Sequence, residues 1–223
     1  MHARLHDPCS TMTGVILAGG PSSRMGSNKA LLPCRDGLFI ETVHRQLATI
    51  FPELLLVTNT PEQYPLLPCP TVADQIPGIG PLAGIHAALC RSVHEHIFVV
   101  ACDMPCLNAG LIRYLASLAA GHDVVIPWGE KGSEALHAVY GKGALPAIEA
   151  ALAAGRRRIV SFFDQVRVRR VGSAELGRLD PAGSAFLNIN TPEEYFHFRQ
   201  LGSTGTHLPP PQAANRLAAI AVQ

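Results

Sequence analysis

Gly14-Val15-Ile16-Leu17-Ala18-Gly19-Gly20-Pro21-Ser22-Ser23-Arg24-Met25-Gly26-Ser27-Asn28-Lys29-Ala30-Leu31-Leu32 is the stretch on which the reading of this chain turns. Its apolar opening, Val15 to Ala18, reads as a buried strand. The strand runs into paired glycines and small residues, and only then come a cation, a third glycine and a second cation. Glycines bring main-chain N–H groups close to an anion with no Cβ in the way, and Arg24 and Lys29 add charge beside them. A polyphosphate is the natural guest. Two better-known glycine motifs fail. Gly20 and Gly26 stand one residue too far apart for a P-loop, with Lys29 three positions beyond, and the dinucleotide fingerprint is absent.

The remainder extends an α/β pattern. Ile40, Val43, Leu47 and Phe51 recur at helical spacing and Pro52 ends the helix. Leu54 to Val57 is a short continuous apolar run, as expected of a parallel strand covered on both faces. Thr58-Asn59-Thr60 follows at its carboxyl end, where open α/β sheets place ligands. Asn59 there either reads a base or ribose edge or starts a turn with Thr60-Pro61. Thr71 to Ala73 is a third strand, followed by Asp74 and a loop shaped by Gly78, Gly80 and Pro81, from which Pro81 opens a helix. His96 to Cys102 is the clearest strand. It delivers Asp103 to the crevice above the sheet, where one carboxylate suits Mg²⁺, which prefers hard oxygens and commonly takes few protein ligands.

Leu107, Leu111, Leu115 and Leu118 mark the next helical face, which Gly121 stops. Asp123 to Pro127 and Leu136 to Tyr140 read as strands and Ala144 to Ala154 as a helix closed by Gly155. Val166 to Val171 alternates like a half-exposed strand. Thr191 is suited to cap a helix starting at Pro192, with Glu194 three residues after the cap. The expected architecture is a three-layer α/β/α sandwich with a mostly parallel, mixed-edge sheet, residues 129 to 190 supplying that edge and walling one side of the site. The domain spans 13–201, between a flexible leader (1–12) and a flexible tail (202–223).

The motif L-A-G-G-x-S-S-R-M-G-x-x-K resembles the signature of the molybdenum cofactor guanylyltransferases, within the wider Rossmann-like, nucleotide-diphospho-sugar transferase-like nucleotidyltransferases. Gly80-Pro81-Leu82-Ala83-Gly84, Cys102-Asp103-Met104-Pro105 and Asn188-Ile189-Asn190-Thr191-Pro192-Glu193 also match, in the right order over most of residues 14 to 200. The resemblance implies transfer of GMP from GTP to the terminal phosphate of molybdopterin, with Mg²⁺ at Asp103 and release of pyrophosphate. It implies nucleotide contacts at Leu17, Ala18, Gly19, Gly20, Lys29, Asn59, Asp74, Gly80, Pro81 and Leu82, with Asp74 on guanine. Arg24, Lys29 and Asp103 would act on the phosphates. Asn188 or Asn190 would complete the metal or acceptor-phosphate shell, their other reading being a strand-to-helix turn. Asn28 departs from the pattern, standing where an acid is usual, so that a charge partner for Arg24 or Lys29 is expected to be missing. Ala135 replaces a common proline. The alternatives are a CTP-using or phosphosugar/alcohol nucleotidyltransferase, or a nucleotide-binding module without transfer.

Composition limits the remaining possibilities. With 18 basic and 17 acidic residues the net charge is +1, so no global field draws the chain to nucleic acid or an anionic membrane. No run approaches the ~18 to 20 apolar residues of a membrane span, and no signal peptide opens the chain, which points to a cytoplasmic protein, expected as a monomer. Proteins that deliver or accept the cofactor are further expected partners. Six cysteines without C-x-x-C spacing suit reduced thiols, leaving Cys102-x-x-x-Cys106 a weak zinc candidate. Arg156, Arg157 and Arg158 are a candidate grip for an anionic pterin or a routine helix C-terminus. His137 is a candidate for lining the site, and His94-x-His96 reads as surface.

Overall fold

The computed structural model describes residues 7–19, 28–34, 37–76, 78–130 and 132–203. Ten strands and six helices follow one another in it: β1 (Met12–Leu17), β2 (Pro33–Cys34), β3 (Gly37–Leu38), α1 (Phe39–Ala48), β4 (Glu53–Val57), β5 (Thr71–Val72), α2 (Pro81–Arg91), β6 (His96–Ala101), α3 (Ala109–Ser117), β7 (Val124–Gly129), β8 (Gly132–Ser133), β9 (His137–Gly141), α4 (Leu145–Ala153), β10 (Val168–Gly172), α5 (Ser173–Leu179) and α6 (Pro192–Ser203). Helices alternate with strands because the apolar runs are too short to be anything but buried strands, while the intervening segments bury one stripe. In α1 that stripe is Phe39, Ile40, Val43 and Leu47, and the Glu41 side chain accepts the Leu38 N–H at 2.8 Å to close the first turn.

The main sheet runs β10-β7-β9-β6-β1-β4-β5, with β8 paired to β7. β4, β6 and β5 are parallel to the strands beside them on the β1 side, and β10 is parallel to β7. β9 runs antiparallel to both β6 and β7. The mixed pairing is therefore not confined to an edge. The α3 crossover sets β7 one place away from β6, and β9 fills the slot between them. Helices α1, α3 and α5 cover one face, contributing Val43, Leu47, Leu111, Leu115 and Leu176 to a core with Ile16, Leu56, Phe98 and Val100. The other face is covered by α2, α4 and the 3-10 segment Ile159–Gln165, whose Leu82, Ile85, Ile148 and Phe162 pack on Val15, Leu55, Val99 and Tyr140. This is the expected three-layer sandwich.

Several local expectations change. Residues 8–12, assigned above to the leader, form a 3-10 turn (Pro8–Thr11) and the start of β1, with Cys9 fully buried. The remaining leader and most of the tail, residues 1–6 and 204–223, lie outside the described residues, as do Gly20 and Arg24. His94 and His96 are not idle surface. His94 Nδ1 lies 3.0 Å from the buried Thr13 hydroxyl and 3.2 Å from Glu53, and His96 Nε2 lies 3.3 Å from the His122 carbonyl oxygen. Among the described residues no helix is long and apolar enough to cross a membrane.

Candidate active site

The strand order reverses at β1. From it the chain passes through α1 to β4 on one side, and β6 lies on the other, so a crevice opens above their carboxyl ends. Pairing continues one step past the strands, where the Cys102 N–H donates to the Leu17 carbonyl at 3.1 Å. That contact brings Ala18-Gly19 alongside Asp103. Ala18 is buried and donates its N–H to the Val57 carbonyl at 2.9 Å, whereas Gly19 is exposed.

Lys29 returns to the same place from the other end of the glycine stretch. Its Nζ donates to Asn190 Oδ1 at 2.7 Å and lies 3.4 Å from Asp103 Oδ2, and the Lys29 and Asp103 side chains are each 17% exposed. Three residues far apart in sequence thus meet at the strand ends. Asn190 arrives because the Ile189 N–H donates to the Asp103 carbonyl at 3.2 Å, which sets residues 188–190 beside the β6 terminus. Glu194 fastens the same segment: its Oε2 accepts the Asn190 N–H at 2.6 Å and the Thr191 N–H at 3.1 Å, and Thr191 Oγ1 accepts the Glu194 N–H at 3.2 Å. The capping arrangement expected at Thr191 is present.

Burial pushes the Asp103 carboxyl above its ordinary range, the Lys29 charge pulls it down, and Glu194 pushes it up further. A lysine bonded closely to a neutral amide and only loosely to a carboxylate keeps charge available for an incoming anion. The donor set also fits a magnesium ion. Asp103 and Asn190 offer hard oxygens, and one carboxylate suffices for a cation that retains waters and substrate phosphates. Among the described residues no group of three or more His, Cys, Asp and Glu is placed to hold a metal.

The other predicted residues lie on the β4, β5 and α2 side. Asn59 Oδ1 accepts the Asp74 N–H at 2.9 Å, and Asp74 Oδ1 accepts the Ile76 N–H at 2.8 Å. Asn59 therefore ties the end of β4 to the end of β5, and Asp74 closes its own turn. Gly80 caps α2 with φ of +101°, a conformation that favours glycine, and Pro81 is the first helical residue. Leu82 is fully buried in the core, so only its main chain is available to a ligand. Gly84 lets α2 approach the sheet, because a Cβ there would stand 3.3 Å from Leu17 Cδ2 and Val57 Cγ1.

Two candidates are withdrawn. His137 is fully buried on β9, its ring 5.1 Å from that of Phe98 and 5.2 Å from that of Phe186, so it does not line the site. Burial pushes the Cys102 thiol up to about 12, and no disulfide joins any of the six cysteines, which suits reduced, inert thiols rather than a zinc pair. Asn28 is also reinterpreted. Lys29 already has Asp103 as its carboxylate, and Asn28 caps the turn that carries Lys29. Sequence reasoning missed Gln63 and Tyr64, which hold Asn28 from the other side; a short polar side chain just before a turn was the available signal.

A sequence profile described as the MobA-like NTP transferase domain matches residues 14–170. The chain belongs to that family. A probable molybdenum cofactor guanylyltransferase from Pelotomaculum thermopropionicum is 41% identical over 182 residues, covering 82% of this chain and 89% of the relative. A molybdenum cofactor guanylyltransferase from Desulfosudis oleivorans is 37% identical over 185 residues, covering 82% and 92% respectively. The crystal structure of molybdopterin-guanine dinucleotide biosynthesis protein A from Archaeoglobus fulgidus superposes with a TM-score of 0.76 at 27% identity, covering 86% of this chain and 99% of that one. This member of the family is accordingly a nucleotidyltransferase of molybdenum cofactor biosynthesis.

Proposed function

We propose that this chain transfers GMP from GTP to the terminal phosphate of molybdopterin. The observation that carries the reading is the meeting of Lys29, Asp103 and Asn190 above the ends of β1 and β6. The names of the relatives support guanine as the base and molybdopterin as the acceptor.

An oxygen of the acceptor phosphate attacks the α-phosphorus of GTP in line, the bond to the bridging oxygen of the β-phosphate breaks, and pyrophosphate leaves with that electron pair. A phosphate monoester is already an anionic nucleophile at neutral pH, so the protein need supply no base. Its work is to position the reactants and to neutralise charge. Main-chain N–H groups of Gly19 and Gly20 cradle the triphosphate, with Leu17 and Ala18 beneath. Lys29 sets its ammonium on the β- and γ-oxygens, and Arg24 adds a second cation. Asp103, with Asn190 or Asn188, would hold Mg²⁺, which when bound offsets the charge that develops on the phosphate oxygens. Asn59, Asp74 and the Gly80-Pro81-Leu82 main chain form the base side, the N-terminus of α2 favouring an anionic ligand nearby. Arg156, Arg157 and Arg158 are exposed beyond α4, which begins where the antiparallel β9 ends, and they are offered to the anionic acceptor.

A panel of four radiolabelled nucleoside triphosphates, each with Mg²⁺ and with or without molybdopterin, tests this reading. Pyrophosphate release from GTP alone among the four, requiring both the metal and the acceptor, is expected. Preference for CTP, or binding without release, would overturn it.

A further inference from the structure

The turn that presents Lys29 is three residues of 3-10 helix, Lys29–Leu31, and such turns have little stability of their own. Its orientation is set by what fastens it. One fastening is Ala30, fully buried in the core. A second is the side chain of Asn28, which is engaged at both ends. Its Oδ1 accepts the Ala30 N–H at 3.1 Å, capping the turn. Its Nδ2 donates to Gln63 Oε1 at 2.6 Å and to Tyr64 Oη at 2.8 Å. Those acceptors lie partway along the β4–β5 connection that begins at Thr58-Asn59-Thr60, at the end of the 3-10 turn Pro61–Gln63, and Tyr64, only 7% exposed, is itself packed into the core. One amide thus joins the phosphate-side turn to the base-side connection.

We infer that Asn28 is a positioning residue that latches these two parts together and thereby holds the Lys29 ammonium at Asp103 and Asn190. The inference rests on the proposed role of Lys29 towards phosphate. A serine at position 28 separates the two functions of the side chain. Its hydroxyl can still cap the turn, but it is too short to reach Gln63 or Tyr64. If the latch matters, Asn28→Ser behaves like Asn28→Ala; if only the cap matters, it behaves like the natural protein.

The experiment has two readouts on the full chain. The first is pyrophosphate release from GTP with Mg²⁺ and molybdopterin, where both variants should lose about tenfold or more in kcat with little change in Tm, as expected when a charged group is misplaced. In a Lys29→Ala background Asn28→Ser should add no further loss, since it acts through that lysine. The second is labelling by acetic anhydride, followed by mass spectrometry, comparing Lys29 with Lys142 in the same molecule. Asn28→Ser should label Lys29 several times faster. Wild-type behaviour of Asn28→Ser in turnover and in labelling would overturn the latch. Should the natural protein release no pyrophosphate from any nucleotide, the proposed function fails, and labelling alone still decides whether Asn28 restrains Lys29. Tyr64→Phe, which removes one acceptor and leaves the cap in place, gives the same readout should Asn28→Ser not fold.

Discussion

The Nζ of Lys29 donates to Asn190 Oδ1 at 2.7 Å, joining a residue near the start of the chain to one near the far end of the domain. Its approach to Asp103 Oδ2 is longer, 3.4 Å, so the amide rather than the carboxylate fixes where the ammonium sits. Replacing Lys29 by Ala should lower turnover about 10²- to 10³-fold, the cost of removing one preorganised charge. Asn190→Ala should cost less, because the charge remains and only its aim is lost. Steady-state pyrophosphate release is the measurement. Near-natural turnover by Lys29→Ala would remove the centre of the mechanism.

Asp103 carries the opposite liability. Burial raises its pKa against the pull of Lys29, so ionising it in the folded protein is harder than in the unfolded chain. At neutral pH the folded state is therefore less stable than it would be with a neutral group in that place. Asp103→Asn should abolish metal-dependent turnover while leaving Tm equal to or above that of the natural protein. Calorimetry and the transfer assay measure the two sides. A fall in Tm of about 5 °C or more, roughly 1 to 2 kcal/mol for a chain of this size, would show the carboxylate to be a structural support instead.

Gly84 tests how closely α2 must lie against the sheet. A Cβ there meets Leu17 Cδ2 and Val57 Cγ1 at 3.3 Å, and the extra methyl groups of valine would have to enter the same space. Gly84→Val should cost about 1 to 3 kcal/mol by overpacking. Lifting α2 also moves Gly80 and Pro81, so KM for the nucleotide should rise more than kcat falls. Urea unfolding with nucleotide kinetics checks both, and an unchanged KM would detach this helix from the binding site.

His137 gives the fold a dependence on acid. Burial pushes its pKa down to about 3 from 6.5, and neither ring nitrogen has a hydrogen-bond partner among the described residues. Because the folded state disfavours the protonated ring, stability is fully present above pH 6.5. It is lost as the pH falls towards 3, at about 1.4 kcal/mol for each pH unit from this group. His137→Phe, which keeps the edge-on contacts to Phe98 and Phe186 without the two orphaned nitrogens, should be more stable and should lack that part of the slope. The difference between the two proteins in urea unfolding from pH 7 to pH 4 isolates it, and equal slopes would contradict the assignment.

Much of this fold was legible because buried parallel strands announce themselves. Leu54 to Val57 and His96 to Cys102 are apolar on both faces, and each is followed by a polar residue at the ligand end, which placed Asp103 directly. The position of β9 was not legible. Leu136 to Tyr140 is as apolar as its neighbours, and nothing in a local pattern states which strands flank it. That is also why His137 was misplaced: on an edge strand it would face the crevice, whereas between β6 and β7 it lies among Phe98 and Phe186. Helix α5 escaped notice because Ser173–Leu179 is short and buries only Leu176. At the site, Lys29 and Asp103 came from residue chemistry. The Asn28 contacts with Gln63 and Tyr64 depend on how two loops meet, and sequence separation hides such a meeting.

The antiparallel strand between β6 and β7 also sets an order of assembly. As the chain leaves the ribosome, the first 101 residues already contain the four neighbouring parallel strands β5, β4, β1 and β6. The next strand made, β7, has no partner among them and must wait for β9 to bridge the gap. Lys29 and Asp103 can be side by side long before residue 190 is made, and it is that residue's amide that aims the lysine. A nascent chain therefore owns the charges of its candidate active site long before the amide that aims them exists.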